Sequence, residues 1–156
     1  MVSAIVYSSS TGFTRRYAQL LAERTGLLAY DLGGNSLPPK GSEVFCLGWL
    51  RAGSVAGLRK ASGRYRVRGV GVVGMSPTPN GKTMEDADLP TFYLPGGYCP
   101  GKLKGVNKVM MGMFVRMMTK KLPKNEEEAA MQKALLEGCD FFDPARLEPV
   151  VEFIGR

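Results

Sequence analysis

Ser8-Ser9-Ser10-Thr11-Gly12-Phe13-Thr14 stands between two segments of different periodicity, and the change of period across it decides the fold. Before it, Ala4-Ile5-Val6-Tyr7 is a short apolar run of strand length. After it, Tyr17, Leu20, Leu21 and Arg24 recur at three- and four-residue intervals, as one stripe of a helix does. The unit reads as strand, hydroxyl-rich turn, helix. Such a turn offers a phosphate side-chain hydroxyls, here from Ser9, Ser10, Thr11 and Thr14, and the unpaired N–H groups of a helix start on the positive end of its dipole. The same residue types are the usual helix caps, so the turn is a phosphate cradle or an N-cap.

The rest of the chain repeats the strand–helix alternation. Gly26 predicts the end of the first helix, and residues 27–32, 43–48, 67–75 and 91–94 are apolar runs of strand length. Between them, Ser54 predicts the N-cap of a short helix over 54–61, and residues 83–87 leave room for another. Alternation of this kind gives a parallel sheet, and five strands suit the doubly wound order 2-1-3-4-5. Ligands then sit beyond the carboxyl ends of the strands, where the first and third diverge. The expected architecture is a single α/β domain over 1–156, a three-layer sandwich, with a helical elaboration at about 99–140.

Within that elaboration, residues 101–122 predict a helix with a wide, Met-rich apolar face beside Lys108, Gly112, Arg116 and Lys120 at four-residue intervals. It is either packed on the sheet or an interfacial or partner-binding helix whose flanking lysines meet anionic lipid. Asn125, followed by Glu126, Glu127 and Glu128, predicts a helix start, and Gly138 its end. Asp143-Pro144 predicts the start of the last helix, with Pro149 as an interruption.

Composition narrows the chemistry. The 156 residues contain no His, and Cys46, Cys99 and Cys139 are far apart, which argues against a zinc site and a His-based triad. No side chain stands out as a catalytic general base, and a cofactor that carries its own chemistry fits better. The net charge of +7 attracts anionic partners. The basic segments lack the interleaved aromatics of a single-strand nucleic-acid platform, so no specific nucleic acid is expected. With neither a secretion signal nor a membrane span in view, the expected compartment is the cytoplasm.

Neither G-x-x-x-x-G-K-[ST] nor G-x-G-x-x-G opens the first helix, which disfavours nucleoside triphosphates and dinucleotides. The spacing of Ser9, Thr11, Gly12 and Thr14 resembles the [ST]-x-T-G-x-T phosphate loop of flavodoxins, with Phe13 at an asparagine-like position. Together with the Gly48-Trp49 loop and the segment 92–98 followed by a Lys- and Met-rich helix, nearly the whole chain resembles the flavodoxin-domain family that includes menaquinone-dependent protoporphyrinogen oxidase. That resemblance implies a flavodoxin-like fold, non-covalent FMN, and electron or hydride transfer with a redox partner protein or a quinone.

On that reading Ser9, Ser10, Thr11, Gly12, Phe13 and Thr14 hold the FMN phosphate. Trp49, Leu50, Arg51, Ala52 and Gly53, in the loop after the third strand, and Met75, Ser76 and Pro77, after the fourth, frame the isoalloxazine. The alternative is a flavin-free interaction protein on the same scaffold, since fold does not fix function.

Overall fold

The structure, a computed structural model, describes residues 1–51, 53–79, 88–102 and 105–156. The anticipated helix at 83–87 lies outside the described residues. Strands β1 (Ala4–Tyr7), β2 (Ala29–Asp31), β3 (Glu43–Arg51), β5 (Arg66–Gly74) and β6 (Thr91–Pro95) pair in parallel in the order β2-β1-β3-β5-β6. The sheet has a sixth member in place of the expected five, because β4 (Ser54–Val55) folds back antiparallel on the end of β3. Gly97–Tyr98 (β7) and Cys139–Asp140 (β8) form a separate antiparallel pair.

Alternation along the strands divides the core into two layers. Ile5, Tyr7, Phe45 and Leu47 face α1 (Phe13–Thr25) and α5 (Glu148–Ile154), where Tyr17, Leu21, Val150 and Ile154 are buried. Ala4, Val6, Val44 and Cys46 face the other way, against α2 (Leu58–Ser62) with Ala61, Leu32 and Tyr65. Gly69, Gly71 and Gly74 match the G-x-G-x-x-G spacing, yet they lie inside β5 and make room for neighbouring side chains. A Cβ on Gly71 would stand 2.3 Å from Leu47 Cδ2, and one on Gly69 2.7 Å from Phe153 Cε1. Phe45, Phe92 and Phe153 fill that space.

Local signals set most boundaries. Gly26 caps α1 in the left-handed conformation, its N–H donating to the Ala22 carbonyl at 2.9 Å. Asn125 caps α4 (Glu126–Glu137) by accepting from the Glu128 N–H at 2.8 Å, and Gly138 ends it. Asp143 caps a 3-10 turn at Pro144–Leu147 that runs into α5. Pro149 does not interrupt α5, because it sits in the first turn, where its missing N–H has no partner to lose.

Two corrections fall next to each other. The segment 49–51, anticipated as loop, continues β3: Leu50 pairs with Val55 and Arg51 with Ser54, around a turn in which Gly53 takes φ 83°. Ser54 therefore belongs to a hairpin rather than to a helix cap, and α2 starts later, with Gly57 as its N-cap. The hairpin is held by a bond from the Ala56 N–H to the Trp49 carbonyl at 2.9 Å.

The elaboration is an excursion between β7 and β8. It holds a 3-10 turn at Pro100–Lys102, α3 (Gly105–Thr119) and α4. Its base is pinned to the body by the Phe141 N–H, which donates to the Gly96 carbonyl at 2.7 Å. No helix among the described residues is long and apolar enough to cross a membrane.

Candidate functional site

The chain leaves β1 for β2 on one side of the sheet and reaches β3 on the other, so a crevice opens beyond the carboxyl ends of β1 and β3. A cavity of about 720 Å3 lies there. Ser8, Ser9 and Ser10 supply one wall, Trp49 and Arg51 from the end of β3 a second, and Ser54 to Gly57 a third, with Lys102 reaching in from the elaboration. Its size falls within the usual range for small-molecule sites, and among the described residues its lining carries two cations and no acid.

The turn is built so that its hydroxyls do not cap the helix. Gly12 is the N-cap residue of α1, at φ 99°, and has no side chain to accept from the first turn. Ser9 Oγ instead accepts the Gly12 N–H at 3.2 Å, which folds the turn on itself. Among the described residues no side chain accepts from the N–H groups of Phe13, Thr14 or Arg15, so the positive end of α1 is left to solvent or a ligand. Ser10 is exposed, and Ser8, Ser9, Thr11 and Gly12 are half-buried. Phe13 and Thr14 are buried, and the Phe13 ring belongs to the core on the α1 face. Of the turn, Ser8, Ser9 and Ser10 line the cavity, whereas Thr11, Gly12, Phe13 and Thr14 are not part of its lining.

Trp49 is half-buried, packed against the same core along one part and lining the cavity along another. The Arg51 guanidinium lies 5.8 Å from its ring centroid, within cation–π range, and 3.8 Å from the Met110 sulfur of α3. A flat ring beside a cation at a polar cleft suits a planar, anionic ligand.

The structure thus brings together Ser9, Ser10, Trp49 and Arg51. Leu50 is not part of the cavity lining, Gly53 is at the exposed hairpin turn, and Ala52 lies outside the described residues. Met75, Ser76 and Pro77 follow β5 and are not part of the lining. Ser76 Oγ is engaged with the Thr78 carbonyl at 2.6 Å, and the Tyr93 hydroxyl donates to the Ser76 carbonyl at 2.6 Å.

Ser8, Ser54, Val55, Ala56, Gly57 and Lys102 line the cavity without having been singled out. Ser8 was legible as part of the hydroxyl run, whereas the hairpin residues depend on the extension of β3, which no local signal announces.

A second cavity, of about 440 Å3, lies at the base of the elaboration, where Cys99 and Cys139 meet Tyr98 and Glu137. Burial raises the Cys139 thiol above its ordinary range, and the neighbouring Cys99 adds to the effect. Both thiols are free.

No protein-family model matches the chain, and neither a curated protein nor a solved structure matches it. The fold and the cavity therefore define an α/β protein with a mostly parallel sheet and a polar, cationic crevice at its strand ends.

Proposed function

We propose that the chain is an FMN-binding, flavodoxin-like oxidoreductase or electron-transfer protein of the cytoplasm, in the group that includes quinone-dependent protoporphyrinogen oxidase. The observation that carries the reading is the cavity at the ends of β1 and β3, where the serines of a hydroxyl-rich turn, a Trp and two cations converge, the turn leading into an uncapped helix start. The residues present fit the cofactor. Ser8, Ser9, Ser10 and the first-turn N–H groups of α1 would hold the phosphate, assisted by Arg51 and Lys102. Trp49 offers a face to the isoalloxazine, and the Ser54–Val55 hairpin closes the opposite wall.

Bound there, FMN supplies the electron or hydride transfer, exchanging with a redox partner protein or a quinone. The chain's own part is to orient the ring, neutralise the phosphate and limit access of water. With two cations and no acid among the described residues of the lining, the site favours the anionic state of whatever it holds.

The test is a titration of the purified protein with FMN, followed by absorption and by the fluorescence of Trp49, the single Trp in the chain. Saturable binding with quenching of Trp49 supports the reading. Ser10→Asp, at an exposed position, puts a negative charge in the phosphate seat and should abolish binding while the thermal melt stays unchanged. A colourless protein that ignores added FMN would favour a flavin-free scaffold that binds another protein.

A further inference from the structure

Helix α3 is anchored along one side and bare along the other. Met111, Val115 and Met118 are half-buried, and α4 holds the end of the helix: Gln132 Nε2 donates to the Met118 carbonyl at 3.1 Å and to the Lys121 carbonyl at 2.8 Å. The first bond satisfies one of the carbonyl groups that a helix end leaves unpaired, and the second holds the chain just beyond it. On the opposite stripe, Val106, Val109, Met113 and Met117 are 68, 64, 69 and 63 % exposed, and Met110 and Phe114 extend the same surface. Recurrence at three and four residues makes this one continuous apolar face. A patch of this kind on a monomer marks a contact surface.

Charge selects the occupant. Residues 102–124 carry seven cations and no acid, with Arg116 bordering the apolar stripe and Lys120 and Lys121 at its end. A second copy of the chain would bring the same cations against themselves, which opposes self-association through this face. An anionic bilayer answers both features at once, taking the apolar side chains into the acyl boundary and the cations among its headgroups. The length agrees: 15 residues make a helix of roughly 22 Å, too short to span the hydrocarbon core and suited to lying in its surface.

We propose that α3 is an interfacial helix that docks the chain on an anionic lipid surface, with Val106, Val109, Met113 and Met117 facing the acyl chains. Docking in this way brings the mouth of the β1–β3 cavity to the membrane, since Met110 touches Arg51 and Lys102 lines the cavity. A lipid-dissolved reactant could then reach the cavity without crossing bulk water. The docking itself stands independently of whether the cavity holds a flavin.

The full chain is sedimented with vesicles of one part phosphatidylglycerol to three parts phosphatidylcholine, and with vesicles of phosphatidylcholine alone. It should partition to the anionic vesicles and be released as salt is raised. Met113→Glu with Met117→Glu should lower the partition coefficient by at least about tenfold, through lost apolar burial and added negative charge. Lys120→Glu with Lys121→Glu should lower it by about tenfold or more. These side chains are exposed, so the thermal melt and the FMN titration should not change in either variant. Absence of binding to the anionic vesicles, or equal binding by the wild type and both variants, would overturn the proposal. So would a dimer in the absence of lipid that Met113→Glu disperses, since the face would then be a self-interface.

Discussion

Gly57 approaches Ser8 so closely that a methyl group on Gly57 would stand 2.8 Å from Ser8 Cβ and 3.0 Å from Leu32 Cδ1. Gly57 also holds φ 85°, a conformation that side chains disfavour. The contact joins the start of α2 to the hydroxyl turn and closes one corner of the cavity.

Gly57→Ala should therefore cost about 1–3 kcal/mol, from backbone strain and from pushing the turn aside. Gly53→Ala is the control: its φ is 83°, but a methyl there meets nothing within 4 Å. Thermal melts should show both variants destabilised, Gly57→Ala more so. FMN affinity should fall several-fold for Gly57→Ala and stay near wild type for Gly53→Ala. Equal affinities in the two variants would mean that Ser8 and its neighbours do not set the ligand site.

Stability should fall at alkaline pH. Burial pushes the Cys46 thiol up to about 12 from 9.0, and the chain exposes none of that side chain. A group whose folded value is raised contributes stability that is whole below its unfolded value and is lost as pH rises through the folded one. For Cys46 the loss runs from pH 9 to about 12 and is of the order of 4 kcal/mol. Tyr17 adds to it in the same direction. Burial raises its phenol above 10.0, although the Asp143 N–H, donating at 2.9 Å, partly opposes the shift. Urea unfolding measured across this range should give a falling midpoint, and Cys46→Ala should flatten the slope at a modest cost in packing. Under native conditions Cys46 should resist thiol reagents that modify Cys99 and Cys139, which are only half-buried.

The alternation of strand and helix was legible because each segment carries its own signal: the apolar runs at 4–7 and 91–94, Gly26 and Gly138 at helix ends, Asn125 and Asp143 at helix starts. The hairpin of β3 and β4 was not, because Ser54 has the chemistry of a cap and only the pairing of Leu50 with Val55 assigns it to a strand. That pairing is tertiary information. It moved Ser54 to Gly57 from a helix into the wall of the cavity. The Met-rich helix shows the same limit from the other side, since an apolar stripe is identical in sequence whether the sheet covers it or nothing does. Among the site residues, Ser9, Ser10, Trp49 and Arg51 came from the turn and the strand end. Lys102 enters from an excursion whose path local sequence does not specify.

Phe13 shows how a motif position can change its task. In the loop pattern that the turn resembles, an asparagine-like residue would sit here and add a polar contact. In this chain the side chain points into the core on the α1 face, where its ring comes within 2.7 Å of a Cβ built on Gly97. Restoring the polar residue by Phe13→Asn should therefore bring no gain in FMN affinity. It should remove an aromatic ring from a packed site and leave a buried amide in its place, at a cost of about 3–5 kcal/mol. For a chain of this length that lowers the melting temperature by about 10 °C or more. The loss should be accompanied by loosening at Gly96 and Gly97, which pack against Phe13, and so at the base of the α3–α4 excursion. Hydrogen exchange at the Phe141 amide, whose partner is the Gly96 carbonyl, reports that loosening directly. A stable variant with tighter FMN binding would show instead that the side chain at position 13 faces the ligand.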